Sequence, residues 1–305
     1  MKNTICIVLG TLFFISFCAF RCSKAEEELS AGEPKILKIG YMANSFAEVD
    51  IKDAVAALQV WGDVILRNME EEFTAEQHIF YDLRELVQAI KNKKADMLGM
   101  STLEYFEVKD KAPLEVSMAT VSGGEVEQKF ILLVRKDKGI KRLSQLKGKK
   151  LLVETGGRGD IGLLWLNTTL LKDRLPESGE LFSNIKRATK ASQAVLPVFF
   201  GQADACIVTR GSFRTAAELN PQLGGELDVL AESPPYLVSV ACFREGYDEK
   251  YKKIIMDTSL KLHEDPKGKQ ILTLFRVDKI VLFDPTYFNS IKELINEYNE
   301  LKGSR

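Results

Sequence analysis

Two α/β lobes joined by hinge strands are the fold this sequence predicts, on three observations. The chain has 305 residues, 45% hydrophobic and 28% charged, an ordinary globular composition long enough for two lobes. Short apolar strand-like runs alternate with helical periodicity in two separate blocks, and each block reads as a parallel sheet covered by helices. Between the blocks two strand-like runs follow one another closely, and a late strand leads back toward the C-terminus.

The first block opens with a buried strand at 36–41. An amphipathic helix at 50–72 sets Val55, Leu58, Trp61, Val64, Ile65 and Met69 on one face. A strand at 78–81, a helix at 83–91 and a strand at 96–100 complete the block. The closely spaced runs are 116–121 and 129–134, separated by Gly123-Gly124. The second block holds strands at 151–153, 184–188 and 205–208 and helices at 160–171 and 193–200. Strands at 227–230 and 237–243 and helices at 251–263 and 288–301 end the chain. These segments divide it into lobe one, 35–123 with 237–305, and lobe two, 124–236. A cleft between two lobes is a favoured ligand site.

The N-terminus is expected to lie outside this fold. Lys2 precedes an uncharged apolar run at 4–20, and Ser23-Lys24-Ala25 offers small residues where a signal peptidase would cut. Residues 1–25 therefore read as a signal peptide and 26–34 as a polar spacer, which puts the mature chain outside the cytoplasmic membrane. An uncleaved anchor is one alternative, since the run approaches the roughly 18 residues needed to span a bilayer. A lipid-modified Cys18 or Cys22 is another.

The formal net charge is −1 with no basic stripe, which argues against a nucleic-acid partner. No cofactor is expected. No metal-ligand spacing is present, and His78 and His263 are both poor ligand candidates. No Ser-His-Asp set or Cys-His pair is evident, so no catalytic residue is assigned and the protein is read as a non-enzyme. Cys206 and Cys242 lie in apolar strand-like runs. Buried free thiols are the favoured reading, with a disulfide as the alternative.

The most informative motif is Glu154-Thr155-Gly156-Gly157-Arg158-Gly159-Asp160, between the strand at 151–153 and a helix. Glycines let a backbone approach a ligand, and free N–H groups at a helix start favour negative charge. Thr155, Gly156, Gly157 and Arg158 therefore form a candidate anion cradle, with a plain glycine turn as the alternative. Gly157, Gly159 and Gly162 also match a dinucleotide fingerprint. The next strand ends in Arg187-Ala188-Thr189-Lys190 with no acid to hold a ribose, so that reading is discounted. Ser101 and Thr102 stand at a second strand-to-helix junction. Glu104 three residues after Ser101 makes a capping box the competing reading. Asn44 and Ser45 follow the first strand, and Thr209 ends the strand at 205–208.

Several segments together resemble one family. Residues 130–140 lead into Leu143-Ser144-Gln145-Leu146-Lys147-Gly148-Lys149-Lys150, followed later by Gly201-Gln202-Ala203-Asp204-Ala205 and by Leu262-His263-Glu264-Asp265-Pro266-Lys267-Gly268-Lys269. In this order they resemble the phosphate, phosphite and phosphonate group of periplasmic binding proteins of ABC transporters, across nearly the whole chain from 36 onward. The resemblance implies a type II periplasmic-binding-protein fold that closes on a small tetrahedral anion, with a membrane permease or a sensor protein as partner. A monomer is expected. The family's hydroxyl-rich cradle corresponds to Thr155–Arg158, a common histidine to Ser192, a common acid to Thr209 and a first-strand tyrosine to Asn44. Absence of that acid argues against an aminoalkyl phosphonate, and Arg158 favours a phosphonate-, phosphate- or carboxylate-like oxyanion.

Overall fold

The computed structural model describes residues 35–46, 49–69, 72–154 and 157–304, with the backbone alone at Gly157 and Arg158. The expected signal peptide, the spacer, Thr155 and Gly156 lie outside the described residues. The first lobe begins with β1 (Lys35–Met42), α1 (Ile51–Leu66), β2 (Phe73–Phe80), α2 (Leu83–Lys91), β3 (Met97–Ser101), α3 (Thr102–Val108) and β4 (Leu114–Val121). The second holds β5 (Glu127–Arg135), β6 (Lys150–Glu154), α4 (Gly157–Lys172), α5 (Ser178–Leu181), β7 (Asn184–Ala188), α6 (Ala191–Phe199), β8 (Ala205–Thr209), α7 (Arg210–Leu219), α8 (Pro221–Glu226) and β9 (Leu227–Leu237). The chain ends with β10 (Ser239–Arg244), α9 (Glu249–Leu260), α10 (Pro266–Leu274), β11 (Lys279–Leu282) and α11 (Asn289–Gly303).

Each lobe has its own sheet. Strand order is β11-β4-β10-β3-β1-β2 in the first and β7-β6-β8-β5-β9 in the second. The βα blocks are parallel, as expected: β1 pairs with β2 and β3, and β6 with β7 and β8. The sheets as wholes are mixed, because the strands that enter or leave a lobe run against the block. β10 is antiparallel to β3 and β4, and β5 is antiparallel to β8 and β9. In each block the first strand sits between the next two, so the order in which strands are added reverses between β1 and β3 and between β6 and β8. Ligands gather at such reversals, beyond the carboxyl ends of the strands.

The crossings are short. Gly123 and Gly124 have φ of 62° and 81°, a left-handed turn that side chains resist. The Gly124 N–H donates to Asp278 Oδ2 at 2.7 Å, and buried Gln128 donates through Nε2 to the carbonyls of Ser122 and Glu125. Val238 alone separates β9 from β10 for the return, so the late strand starts at Ser239 rather than at 237.

One element departs from the expected division. The α11 helix follows β11 of lobe one but packs on α4 of lobe two. Ile291 and Leu294 share an apolar cluster with Leu166 and Leu170, and Lys172 Nζ lies 2.7 Å from Glu297 Oε1. Tyr298 donates to the Glu177 carboxylate. The amphipathic face of α11 decides this, since it must bury itself wherever an apolar surface faces it. The same cluster joins Met100 and Val240 to Phe130, Ile161 and Ile207, so apolar packing runs through the interlobe region. A second cluster, with Leu37, Ile39, Leu58 and Phe243, lies beneath α1.

Cys206 in β8 and Cys242 in β10 are buried free thiols in different lobes, so they do not pair. Burial pushes the ionisation of both far above the ordinary thiol range. Neither is expected to react with Ellman's reagent at pH 8 until the protein unfolds, because the thiolate is the reactive species. Stoichiometric labelling of the native protein would contradict their placement.

Candidate functional site

A cavity of about 210 Å³ opens at the carboxyl ends of β1 and β3, where strand order reverses. Its walls come from lobe one and the crossings. Tyr41, Phe46, Trp61, Met118, Leu272 and Phe275 form the apolar part. Asn44, Ser45, Ser101, Thr120, Ser239 and Arg276 supply polar groups around it. The aromatic rings follow one another, with centroids 6.1 Å apart for Tyr41 and Trp61, 5.7 Å for Tyr41 and Phe46, and 5.7 Å for Phe46 and Phe275.

Local sequence explains this wall. Tyr41 follows Leu37 and Ile39 at strand period two, so all three point under α1. Gly99 lies across from Tyr41 in the next strand, and a Cβ there would approach the Tyr41 ring to 3.0 Å. Trp61 comes from the apolar face of α1, as expected, although that helix stops at Leu66 rather than near 72. The Tyr41 hydroxyl and the Trp61 Nε1–H are buried and have no hydrogen-bond partner among the described residues. Buried polar groups in native proteins nearly always have one. Burial also pushes the Tyr41 hydroxyl well above the usual phenol range, so it stays a protonated donor.

The expected residues divide. Asn44, Ser45 and Ser101 meet on the cavity. Ser101 is nevertheless committed to a capping box. Its Oγ accepts from Glu104 N at 3.3 Å, and Glu104 Oε2 accepts from Ser101 N at 2.8 Å. Asn44 Nδ2 donates to Glu104 Oε1 at 3.2 Å. The Glu104 carboxylate thus occupies the start of α3, where an external anion was one expectation. An internal carboxylate three residues into the helix reaches those N–H groups without the entropy cost of binding. Ser101→Ala is accordingly expected to lower folding stability by about 1 kcal/mol, read as a fall in urea midpoint with ligand affinity held.

Thr102, Ser192 and Thr209 do not line the cavity. Thr102 is fully buried, its N–H donates to the Val238 carbonyl, and its hydroxyl has no partner among the described residues. Thr209 caps α7, donating to Ser212 Oγ at 2.8 Å and accepting from Ser212 N at 3.1 Å. Ser192 is exposed in the first turn of α6. Both Thr209 and Ser192 follow lobe-two strands, while the cavity belongs to lobe one. Thr155 and Gly156 lie outside the described residues, as do the side chains at Gly157 and Arg158.

A Cβ on Gly159 would fall 1.6 Å from the Glu154 carbonyl oxygen, so the chain turns from β6 into α4 only with glycine there. Arg187 staples the turn: its Nη2 donates to Asp160 Oδ1 at 2.7 Å, and its Nη1 to the Glu154 carbonyl at 3.4 Å.

Sequence reading missed Arg276. It follows α10 with φ of 54°, and the Val277 N–H bonds back to the Leu272 carbonyl, a Schellman helix stop. Lys93 and Arg174 end α2 and α4 in the same way, so the left-handed backbone is not special to the site. What sets Arg276 apart is its reach. It lines the cavity in lobe one, and its Nη1 lies 3.9 Å from Oε1 of buried Glu154 in lobe two. No short motif marks such a residue.

Among the described residues, no group of His, Cys, Asp and Glu is placed to hold a metal, and no helix is long and apolar enough to cross a membrane.

The architecture matches solved structures at low identity. XAC2383 from Xanthomonas citri, bound to chloride ion, is 16% identical with a TM-score of 0.63, covering 88% of this chain and 99% of its own. A binding protein component of an ABC phosphonate transporter from Pseudomonas aeruginosa gives 15%, 0.62, 88% and 88%. PhnD1 from Prochlorococcus marinus, in complex with methylphosphonate, gives 15%, 0.60, 88% and 100%. These likenesses show the two-lobed type II periplasmic-binding-protein fold. No match is found among curated proteins by sequence. A family model described as the periplasmic substrate-binding protein of phosphonate ABC transporters matches residues 52–288, most of the chain, and the chain belongs to that family.

Proposed function

We propose that the protein is an exported, non-catalytic receptor that closes its lobes on a small organic oxyanion and presents it to an ABC permease. The observation that carries this reading is the Arg276–Glu154 approach. The Arg276 guanidinium on the lobe-one cavity wall reaches to 3.9 Å from Glu154 in lobe two, so an oxyanion held by Arg276 sits at the junction of the lobes. Closure requires such contacts, because a ligand shifts an equilibrium only by binding one state better than the other. Arginine suits planar or tetrahedral oxyanions. The relatives' printed ligands, chloride, ATP and methylphosphonate, are all anions and favour the same class. The Thr155–Arg158 turn, directly after Glu154, is the proposed lobe-two contribution.

Calorimetry with methylphosphonate, methanesulfonate, phosphate and acetate tests this. A charge-assisted hydrogen bond contributes about 1.5–3 kcal/mol, so losing the Arg276 guanidinium should weaken binding about 10- to 100-fold. Arg276→Gly is the clean variant, since glycine prefers the left-handed backbone at that position. Arg158→Ala is expected to lose affinity on the same scale. Binding that is indifferent to both variants would refute the oxyanion clamp. Export is checked separately: N-terminal sequencing of the secreted protein should begin near Glu26.

A further inference from the structure

We propose that the lobe-one cavity holds an apolar group of the ligand, a single aromatic ring or branched aliphatic chain, and that Tyr41 and Trp61 donate to acceptor atoms carried with it. This rests on the reading of the chain as a ligand receptor and names the ligand class: an amphipathic organic molecule with an apolar body, larger than a bare tetrahedral anion.

Two independent observations carry it. The first is the wall. Tyr41, Phe46, Trp61, Met118, Leu272 and Phe275 present rings and aliphatic carbons to a volume of about 210 Å³. That is smaller than the roughly 300–1,000 Å³ of sites for drug-sized ligands, and it suits one ring. A methyl group would leave most of this apolar surface uncovered, and apolar surface gains in proportion to the area removed from water. The second is the pair of orphan donors. Tyr41 is 5% exposed, yet among the described residues its hydroxyl finds no acceptor, and the Trp61 indole N–H on the neighbouring ring finds none either. Both residues line the same cavity. Core tyrosines and tryptophans normally place their polar atom on a partner. An ether, carbonyl or hydroxyl oxygen on the ligand would complete them. Several polar groups on the wall are otherwise engaged: Ser101 and Asn44 both bond to Glu104, and Thr120 Oγ1 bonds to Ser239 Oγ at 2.8 Å.

The test uses the full mature chain and four probes: methylphosphonate, phenylphosphonate, 4-methoxyphenylphosphonate and neutral 4-methoxyphenol. Binding is read by calorimetry and by tryptophan fluorescence. Burying a phenyl ring should make phenylphosphonate bind about 10- to 100-fold tighter than methylphosphonate. Tyr41→Phe keeps its ring and Trp61→Phe keeps an aromatic side chain, both lose the donor, and each should weaken 4-methoxyphenylphosphonate about 2- to 10-fold more than it weakens phenylphosphonate, which carries no ring acceptor. Unaltered melting of the variants shows that they fold. If the neutral phenol binds and no anion does, the apolar cavity stands and the oxyanion reading falls. If methylphosphonate binds as tightly as the aryl compounds, the cavity proposal is overturned and the oxyanion reading stands. If nothing binds, both fall.

Discussion

Phe130→Ala is expected to destabilise the protein by about 3–5 kcal/mol, the range for deleting a fully buried phenylalanine. Phe130 is 1% exposed and is the fourth residue of β5, after the crossing from lobe one. Its ring lies against α4, close enough that a Cβ on Gly162 would meet it at 3.1 Å. Tyr236 of β9 closes the other side, with ring centroids 6.5 Å apart. The surrounding strands are held by sheet hydrogen bonds and cannot collapse into the space, so the cost falls near the top of the range. A urea titration at unchanged m-value would show the midpoint shift. A loss below about 1 kcal/mol would mean that α4 relaxes onto β5, which its contacts with α11 oppose.

Asp96→Ala is expected to cost a similar amount, by another mechanism. Asp96 is 5% exposed at the start of β3. Its Oδ1 accepts from Arg244 Nε at 2.7 Å, and its Oδ2 accepts from the Lys38 N–H at 3.1 Å. One carboxylate therefore ties together the ends of β1, β3 and β10 that lie away from the cavity. Alanine would strand a mostly buried guanidinium and a backbone N–H, and breaking such a buried pair costs about 3–5 kcal/mol. Asp96→Asn keeps an acceptor for Lys38 and should fall between wild type and alanine. Ligand affinity of the folded Asp96→Ala protein should match wild type, because the site occupies the opposite end of these strands. A fall in affinity at full folding would mean that the far end of the sheet is coupled to the cavity.

The fold was largely legible because its signals are local. Strand and helix periods in both blocks located the parallel cores, and Gly123-Gly124 marked the first crossing. Elements without a strong period were missed: α5, α7, α8, α10 and the short β11, whose residues become regular only when a neighbour pairs with or buries them. The site was legible in part. Asn44, Ser45 and Ser101 reach the cavity because they lie at the ends of the strands that flank a reversal in strand order. Thr209 also ends a strand, yet it serves as a helix cap, and Ser192, indicated by the family resemblance alone, is exposed on the other lobe.

The sequence by itself determined the two α/β blocks, the hinge glycine turn and the membership of the chain in its family. Each rests on spacing along the chain, which one-dimensional order preserves. Only the tertiary structure decided that Glu104 would fill the start of α3, that α11 would cross to lobe two, and that Arg276 would face Glu154. It also brought Tyr41, Phe46, Trp61, Met118, Leu272 and Phe275 around one cavity, although they are scattered from the first strand to the tenth helix. Residues so distant meet because separate apolar faces must be buried against one another. Which faces meet depends on sheet order and crossing direction, which local spacing does not encode.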